Sequence, residues 1–212
     1  LTATLSGKTY ADVPVTLIEI GTATIGTDYS YRGSITISQG ALTGSDTFTS
    51  TADDLFDAAS GETAIISIAT VNGGGATESG TQSQTITITD AESAPTVTLS
   101  ASASTVAEDG GTSTLTATLS GKTYADVTVA LGAAGTATSG TDYGYTSSIT
   151  ISAGSTTATS TLTSTADDLF DAASGETAII SIATVNGGGA TESGTQSQTI
   201  TITDAESAPT VT

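Results

Sequence analysis

The sequence predicts an all-β protein built from tandem sandwich domains. Two observations carry this: a period-two alternation of apolar and small polar residues, and a near-verbatim internal repeat. The stretches "STLTATLS" (113–120), "SSITIS" (147–152), "TAIISIA" (177–183) and "QTITITD" (198–204) alternate in this way. Side chains on a strand point to opposite faces in turn, so such a pattern buries one face and wets the other. The Thr, Val and Ile content suits strands, and no helix-period stretch of ten residues occurs.

The repeat sets the scale. Residues 1–98 align without a gap with 115–212, and 82 of the 98 pairs are identical; 49–98 match 163–212 completely. A period of 114 residues is the size of a whole sandwich rather than of a solenoid repeat. Within one period, strands are expected to start near Thr96, Ser113, Val127, Ser147, Ala158, Thr177 and Ser197. The turn signals between them are "EDGGT", "SGKTYAD", "SGTDY", "SAGS", "DAASGE" and "VNGGGATESGTQ". Asn186-Gly187 suits a tight turn with positive φ.

The unit boundary falls at "ITDAESAPTVTL". This places a first repeat at 1–94, a second and complete repeat at 95–206, and the start of a third at 207–212. The "AESAP" piece is too short and stiff for a free tether, so the domains are expected to stack end to end. Residue 1 aligns with Leu115, so the first repeat has no counterpart of 99–114 and lacks its opening strand. Two readings stay open: a segment cut from a longer array, or a chain whose first repeat is completed by a strand from another copy.

Composition narrows the function. There are 22 acidic residues against Lys8, Arg32 and Lys122, a net charge of -19. That balance argues against nucleic acid and anionic membrane surfaces as partners. No apolar run approaches the ~20 residues of a membrane-spanning helix. The chain has no Cys and no His, which removes disulfides and the usual ligands of zinc, copper and haem. Hard cations with oxygen ligands remain.

The acids are concentrated in turns and at strand ends. "STADDLFDAASGE" occurs at 50–62 and again at 164–176, each copy with four carboxylates and no base. The second repeat holds eleven acids against Lys122 alone. Alternate turns of a sandwich gather at one pole, so several of these acids are expected to converge there. Calcium takes six to eight oxygens and tolerates irregular loop geometry, and it is the expected ion. The plainer reading is a solvated acidic surface.

The order "TVAEDGG", "GTATSGTDY", a Ser/Gly turn, "STADDLFDAASGE" and "ITITD" resembles the Calx-beta domain, a family of sodium–calcium exchangers and giant bacterial adhesins. The resemblance spans 95–206 and the first repeat from its second strand. It implies immunoglobulin-like, antiparallel Greek-key sandwiches and calcium bound by loops at one end. Carried over, the implied ligands are Glu108, Asp142, Asp167, Asp168 and Asp204, with Asp171 and Glu176 beside them. In the first repeat they are Asp28, Asp53, Asp54 and Asp90, with Asp57 and Glu62 beside them. Leu169 and Phe170, like Leu55 and Phe56, would turn inward and anchor the loop.

Other features point elsewhere than to catalysis. Lys122 follows a Ser-Gly turn, but no His and no oxyanion motif accompany it, and no aromatic cleft serves a carboxylate pair. The chain is not expected to be an enzyme. The pairs Tyr143/Tyr145 and Tyr29/Tyr31 fit sandwich-edge packing better than sugar stacking. The leading expectation is a structural extender of a secreted or cell-surface protein, a bacterial adhesin foremost, stiffened by calcium near the domain joins. Its partners would be neighbouring repeats. The alternatives are a filament or sheath subunit joined head to tail by strand donation, and a glycan- or protein-binding module. "PVTLIEIGTATI" (14–25) diverges most from its counterpart, and exposed Ile18, Ile20 and Ile25 would mark a contact surface.

Overall fold

A computed structural model describes residues 1–57, 61–167, 170 and 175–212. The first strands are β1 (Thr2–Thr4), β2 (Val13–Gly21), β3 (Tyr29–Ser30), β4 (Ser34–Ile37), β5 (Thr43–Ser45), β6 (Thr49–Ser50), β7 (Leu55–Phe56), β8 (Glu62–Val71) and β9 (Ser83–Ile88). Then follow β10 (Thr96–Ala101), β11 (Thr105–Ala107), β12 (Thr112–Leu119), β13 (Lys122–Thr123), β14 (Val127–Gly135) and β15 (Tyr143–Gly144). The last are β16 (Ser148–Ile151), β17 (Thr157–Ser164), β18 (Glu176–Asn186), β19 (Thr191–Glu192) and β20 (Ser197–Thr203). Every regular element among the described residues is a strand. The chain divides into two compact units, one formed by Leu1–Asp53 and Ser60–Ala91, the other by Asp54–Ala59 and Glu92–Thr212.

The second unit is a two-layer sandwich. One sheet runs β15-β17-β12-β10-β19, the other β11-β20-β18-β14-β16. With β10, β12 and β17 in one layer and β14, β18 and β20 in the other, the strand order is immunoglobulin-like. Pairing is antiparallel except at β10–β19 and β11–β20. The second of these has a simple cause: the chain crosses layers between Ala101 and Thr105, and β11 then runs alongside the last strand in the same direction.

Alternation explains the core. Along β12, Ser113, Leu115, Ala117 and Leu119 are buried while the threonines between them are half-buried or exposed. Ser113 is tolerated inside because its hydroxyl donates to the Ala103 carbonyl at 2.9 Å. Along β20 the inward residues are Ile200 and Ile202. A bulge leaves Ala183 without an opposite residue, since Ala130 faces Thr184 and Leu131 faces Ile182. Gly187 has φ of 97°, and a Cβ there would lie 2.1 Å from the Asp126 carbonyl, so the expected Asn-Gly turn admits only glycine. Val97, Leu99 and Val106, from β10 and β11, join Leu115, Ile180 and Ile200 in one continuous core.

The first unit repeats the sheet β4-β2-β8-β9 but splits its other layer into β1-β5 and β3-β6. The stretch matching β17 is interrupted at Asp46, whose carboxylate accepts a hydrogen bond from the Arg32 amide at 2.7 Å. Its core is two separate clusters, one around Val13, Val15 and Ile37, the other around Tyr29, Ala64 and Ile66.

The candidate metal centre

In the second unit the topology brings strand ends and turns to one place. Glu108 directly follows β11, and its amide donates to the Thr203 carbonyl at 3.0 Å. That bond ties it beside the end of β20, where Asp204 follows. Asp142 lies in the turn before β15, its Oδ2 accepting the Thr138 amide at 2.5 Å. Glu176 opens β18, opposite Ile202. Glu108, Asp142, Glu176 and Asp204 together line one cavity of about 10 Å³, with Thr165, Gly175 and Ile202 completing its wall. That is room for about one water molecule or one ion.

Glu108 is only 6% exposed. A carboxylate so far out of water requires compensation by hydrogen bonds or by a cation. The Asp167 amide donates to its Oε1 at 3.3 Å, a long contact. Lys122, the only basic residue between 95 and 206, is engaged elsewhere, 2.5 Å from Asp54.

One member of the cluster was not foreseen. Glu206 brings a carboxylate oxygen to within 4.8 Å of oxygens of Glu108 and Asp204. Its own amide donates to Asp204 Oδ1 at 2.7 Å. Its Oε2 is sealed from solvent with no hydrogen-bond partner among the described residues. Burial, then the Asp204 side chain, then the charges of Glu108, Asp204 and Asp167 raise its pKa above the usual carboxylate range. Glu206 belongs to the "AESAP" piece, read from sequence as a connector. The available signal was its i, i+2 spacing from Asp204, which on extended chain puts both side chains on one side.

The remaining implied ligands are placed unevenly. Asp167 is exposed and reaches the cluster through its backbone. Asp168, Leu169 and Asp171 lie outside the described residues. Phe170 is half-buried. Asp28 repeats the Asp142 arrangement, its Oδ2 accepting the Thr24 amide at 2.5 Å, and it comes within 4.8 Å of Glu62 through carboxylate oxygens. Asp90 is half-buried just after β9, and Asp53 is exposed. Asp54, Leu55, Phe56 and Asp57 are grouped with the second unit. There β7 pairs in parallel with β13, Asp54 holds Lys122, and Phe56 is buried against Gly189. Asp57 follows, half-buried.

The aromatic pairs serve the frame of the site. Tyr143, next to Asp142, is 1% exposed and lies 6.1 Å from the Tyr145 ring. Burial first, then the neighbouring Tyr145 and Asp142, raise its hydroxyl pKa. Tyr29 is equally buried and stacks on Phe48 at 4.6 Å. By contrast, Ile18, Ile20 and Ile25 are exposed.

No helix among the described residues is long and apolar enough to cross a membrane. No protein-family model and no curated protein matches the chain. Among solved structures it is similar to the crystal structure of CBD12 from CALX1.2, at 19% identity and a TM-score of 0.37, over 87% of this chain and 72% of that one. It is also similar to the crystal structure of the calcium binding domain CBD12 of CALX1.1, at 17% identity and a TM-score of 0.37, over 88% and 73%.

Proposed function

We propose that the second unit binds calcium through Glu108, Asp142, Asp204 and Glu206, with Glu176 and Asp167 at the margin. The observation that carries this reading is the meeting of buried Glu108 with half-buried Asp204 and Glu206, whose Oε2 is sealed from solvent, beside a cavity of ionic size. The donor set is all oxygen and comes from loops, which fits a hard cation of flexible coordination. When bound, the ion supplies the positive charge that buried Glu108 and its carboxylate neighbours need. In the first unit Asp28, Glu62 and Asp90 are the matching donors.

The wider role proposed is that of an extender repeat in a secreted or cell-surface protein, of the adhesin kind. Two features support it. The halves 49–98 and 163–212 are identical, as tandem duplication of a spacer produces. The connector itself supplies Glu206 to the cluster, so an ion there would fix the start of the connector and hold the join to the following repeat. Calcium at millimolar extracellular levels suits such a site.

Calorimetric titration with calcium, alongside thermal melting in calcium and in chelator, tests the binding. A ligand at a hundredfold excess over Kd stabilises the folded state by about 2.7 kcal/mol. Equal melting in both solutions defeats the calcium reading. Small-angle scattering of the chain with calcium and with chelator tests the stiffening. An unchanged flexibility leaves calcium binding standing and removes the extender mechanism.

A further inference from the structure

We infer that the outward face of the sheet β4-β2-β8-β9 is a contact surface for a second copy of this chain, packed face to face about a two-fold axis near Ile18, Ile20 and Ile65. Ile18 and Ile20 point outward from β2 and are 53% and 65% exposed. Ile20 faces Ile65 of β8, and Thr85 of β9 continues that row. Ile18 faces Ser67, with Ser83 beyond it. An isoleucine cluster thus lies across the two central strands, bordered by hydroxyl side chains. The fold does not dictate it. Outward Pro14, Thr16, Ile18 and Ile20 correspond to Thr128, Ala130, Gly132 and Ala134 in the other repeat, whereas inward Val13, Val15 and Leu17 are matched by Val127, Val129 and Leu131. Gly132 is no packing requirement either, since the nearest atom to a Cβ there would be Ser181 Oγ at 3.6 Å. The repeats therefore differ at this surface and not in the core beneath it, and clustered exposed isoleucines at such a surface mark a contact.

Charge names the occupant. No outward position of these four strands carries a charge, in a chain of net charge -19. Glu62 falls on the other side of the pleat, in step with buried Ala64 and Ile66, and Glu19 accepts the Tyr31 hydroxyl at 2.5 Å. A cationic partner would find no acid on this face to pair with. Two copies repel wherever their carboxylates oppose each other, and this face opposes none. It is also self-complementary: a two-fold axis lays the isoleucines of one copy on those of the other, and such a contact closes at two chains. Sheets packed in this way stand ~10 Å apart with their strands within about 30° of each other. Four strands ~4.8 Å apart and about seven residues long present roughly 450 Å² of face per copy. Twice that is below the ~1,200–2,000 Å² of a stable interface and fits a weak, reversible dimer.

Sedimentation equilibrium of the chain from ~10 μM to ~1 mM at fixed calcium tests this, across the range where a contact of that area is populated. A monomer–dimer equilibrium is expected. It should strengthen with added salt, which screens the repulsion between copies and leaves the apolar contact intact. Ile18→Thr combined with Ile20→Thr keeps β-branched side chains on the strand and should weaken dimerisation about tenfold or more, with thermal melting of the monomer unchanged. Leu42→Thr removes an exposed leucine from the turn before β5, away from this face, and should leave dimerisation as it is. A monomer at every concentration overturns the inference. So does a dimer that weakens with salt, one indifferent to the Ile18 and Ile20 changes, or one equally sensitive to Leu42→Thr.

Discussion

The two units share 82 of 98 aligned residues, yet one has a continuous core and the other has two separate clusters. Leu115, Ala117 and Leu119 are at most 3% exposed, while their counterparts Leu1, Ala3 and Leu5 are half-buried. Ile200 and Ile202 are buried; Ile86 and Ile88 are not. None of these residues differs between the copies. The difference is the β10–β11 segment, which lays Val97, Leu99 and Val106 across the gap between the sheets. Burial is thus a property of what covers a side chain, and identical strands are stabilised unequally by it. The same segment carries Glu108, so the covering of the core and the completion of the carboxylate cluster are one structural event.

The strongest way to break this comparison is a matched pair of core truncations. Ile200→Ala should cost about 2–5 kcal/mol of unfolding free energy, whereas Ile86→Ala at the equivalent position should cost about 1 kcal/mol. Urea unfolding with hydrogen exchange resolved by unit measures both. Equal losses would mean that the first core is as well packed as the second.

Calcium should divide the units next. Glu108→Gln is expected to remove most of the ~2.7 kcal/mol gained at saturating calcium from the second unit and nothing from the first. Glu206→Gln should weaken calcium affinity without unfolding the sandwich. Scanning calorimetry in calcium and in chelator, with isothermal titration, follows both variants. Retention of parental affinity by both would place the ion elsewhere.

A third pair should show no difference. Gly187→Ala and Gly73→Ala put a Cβ into the same turn at φ of 97° and 82°, against the Asp126 and Asp12 carbonyls. Each should destabilise its unit by about 1–3 kcal/mol. Unequal costs would show that the inequality of the units extends beyond the region of β10 and β11. The smallest effect is expected from Lys122→Ala. Its pairing with Asp54 is largely exposed and is worth less than about 1 kcal/mol, falling further in salt.

The strands and their order of appearance were legible in the sequence because alternation is a local signal. Val127, Ser148 and Ser197 begin strands at or within one residue of the expected starts. Asn186-Gly187 was legible for the same reason, since a single backbone angle dictates it. Glu108, Asp142, Asp167, Asp168 and Asp204 were expected to converge because they sit in turns or at strand ends, which collect at the poles of a sandwich; Glu108, Asp142 and Asp204 line one cavity with Glu176, Asp167 reaches it through its backbone, and Asp168 lies outside the described residues. The short pairings β11–β20 and β10–β19 were not legible. They depend on where the chain changes layers, which no local pattern encodes.

The sequence by itself determined the all-β class, the 114-residue unit, the glycine turns and the acidic character that points to a hard cation. Each of these follows from side-chain type and spacing along the chain. Only the tertiary structure decided that Glu206 of the connector turns back onto Glu108 and Asp204, and that β11 runs beside β20 and β10 beside β19. Both outcomes depend on groups about 100 residues apart meeting in space, where exclusion of water sets the energy of each contact.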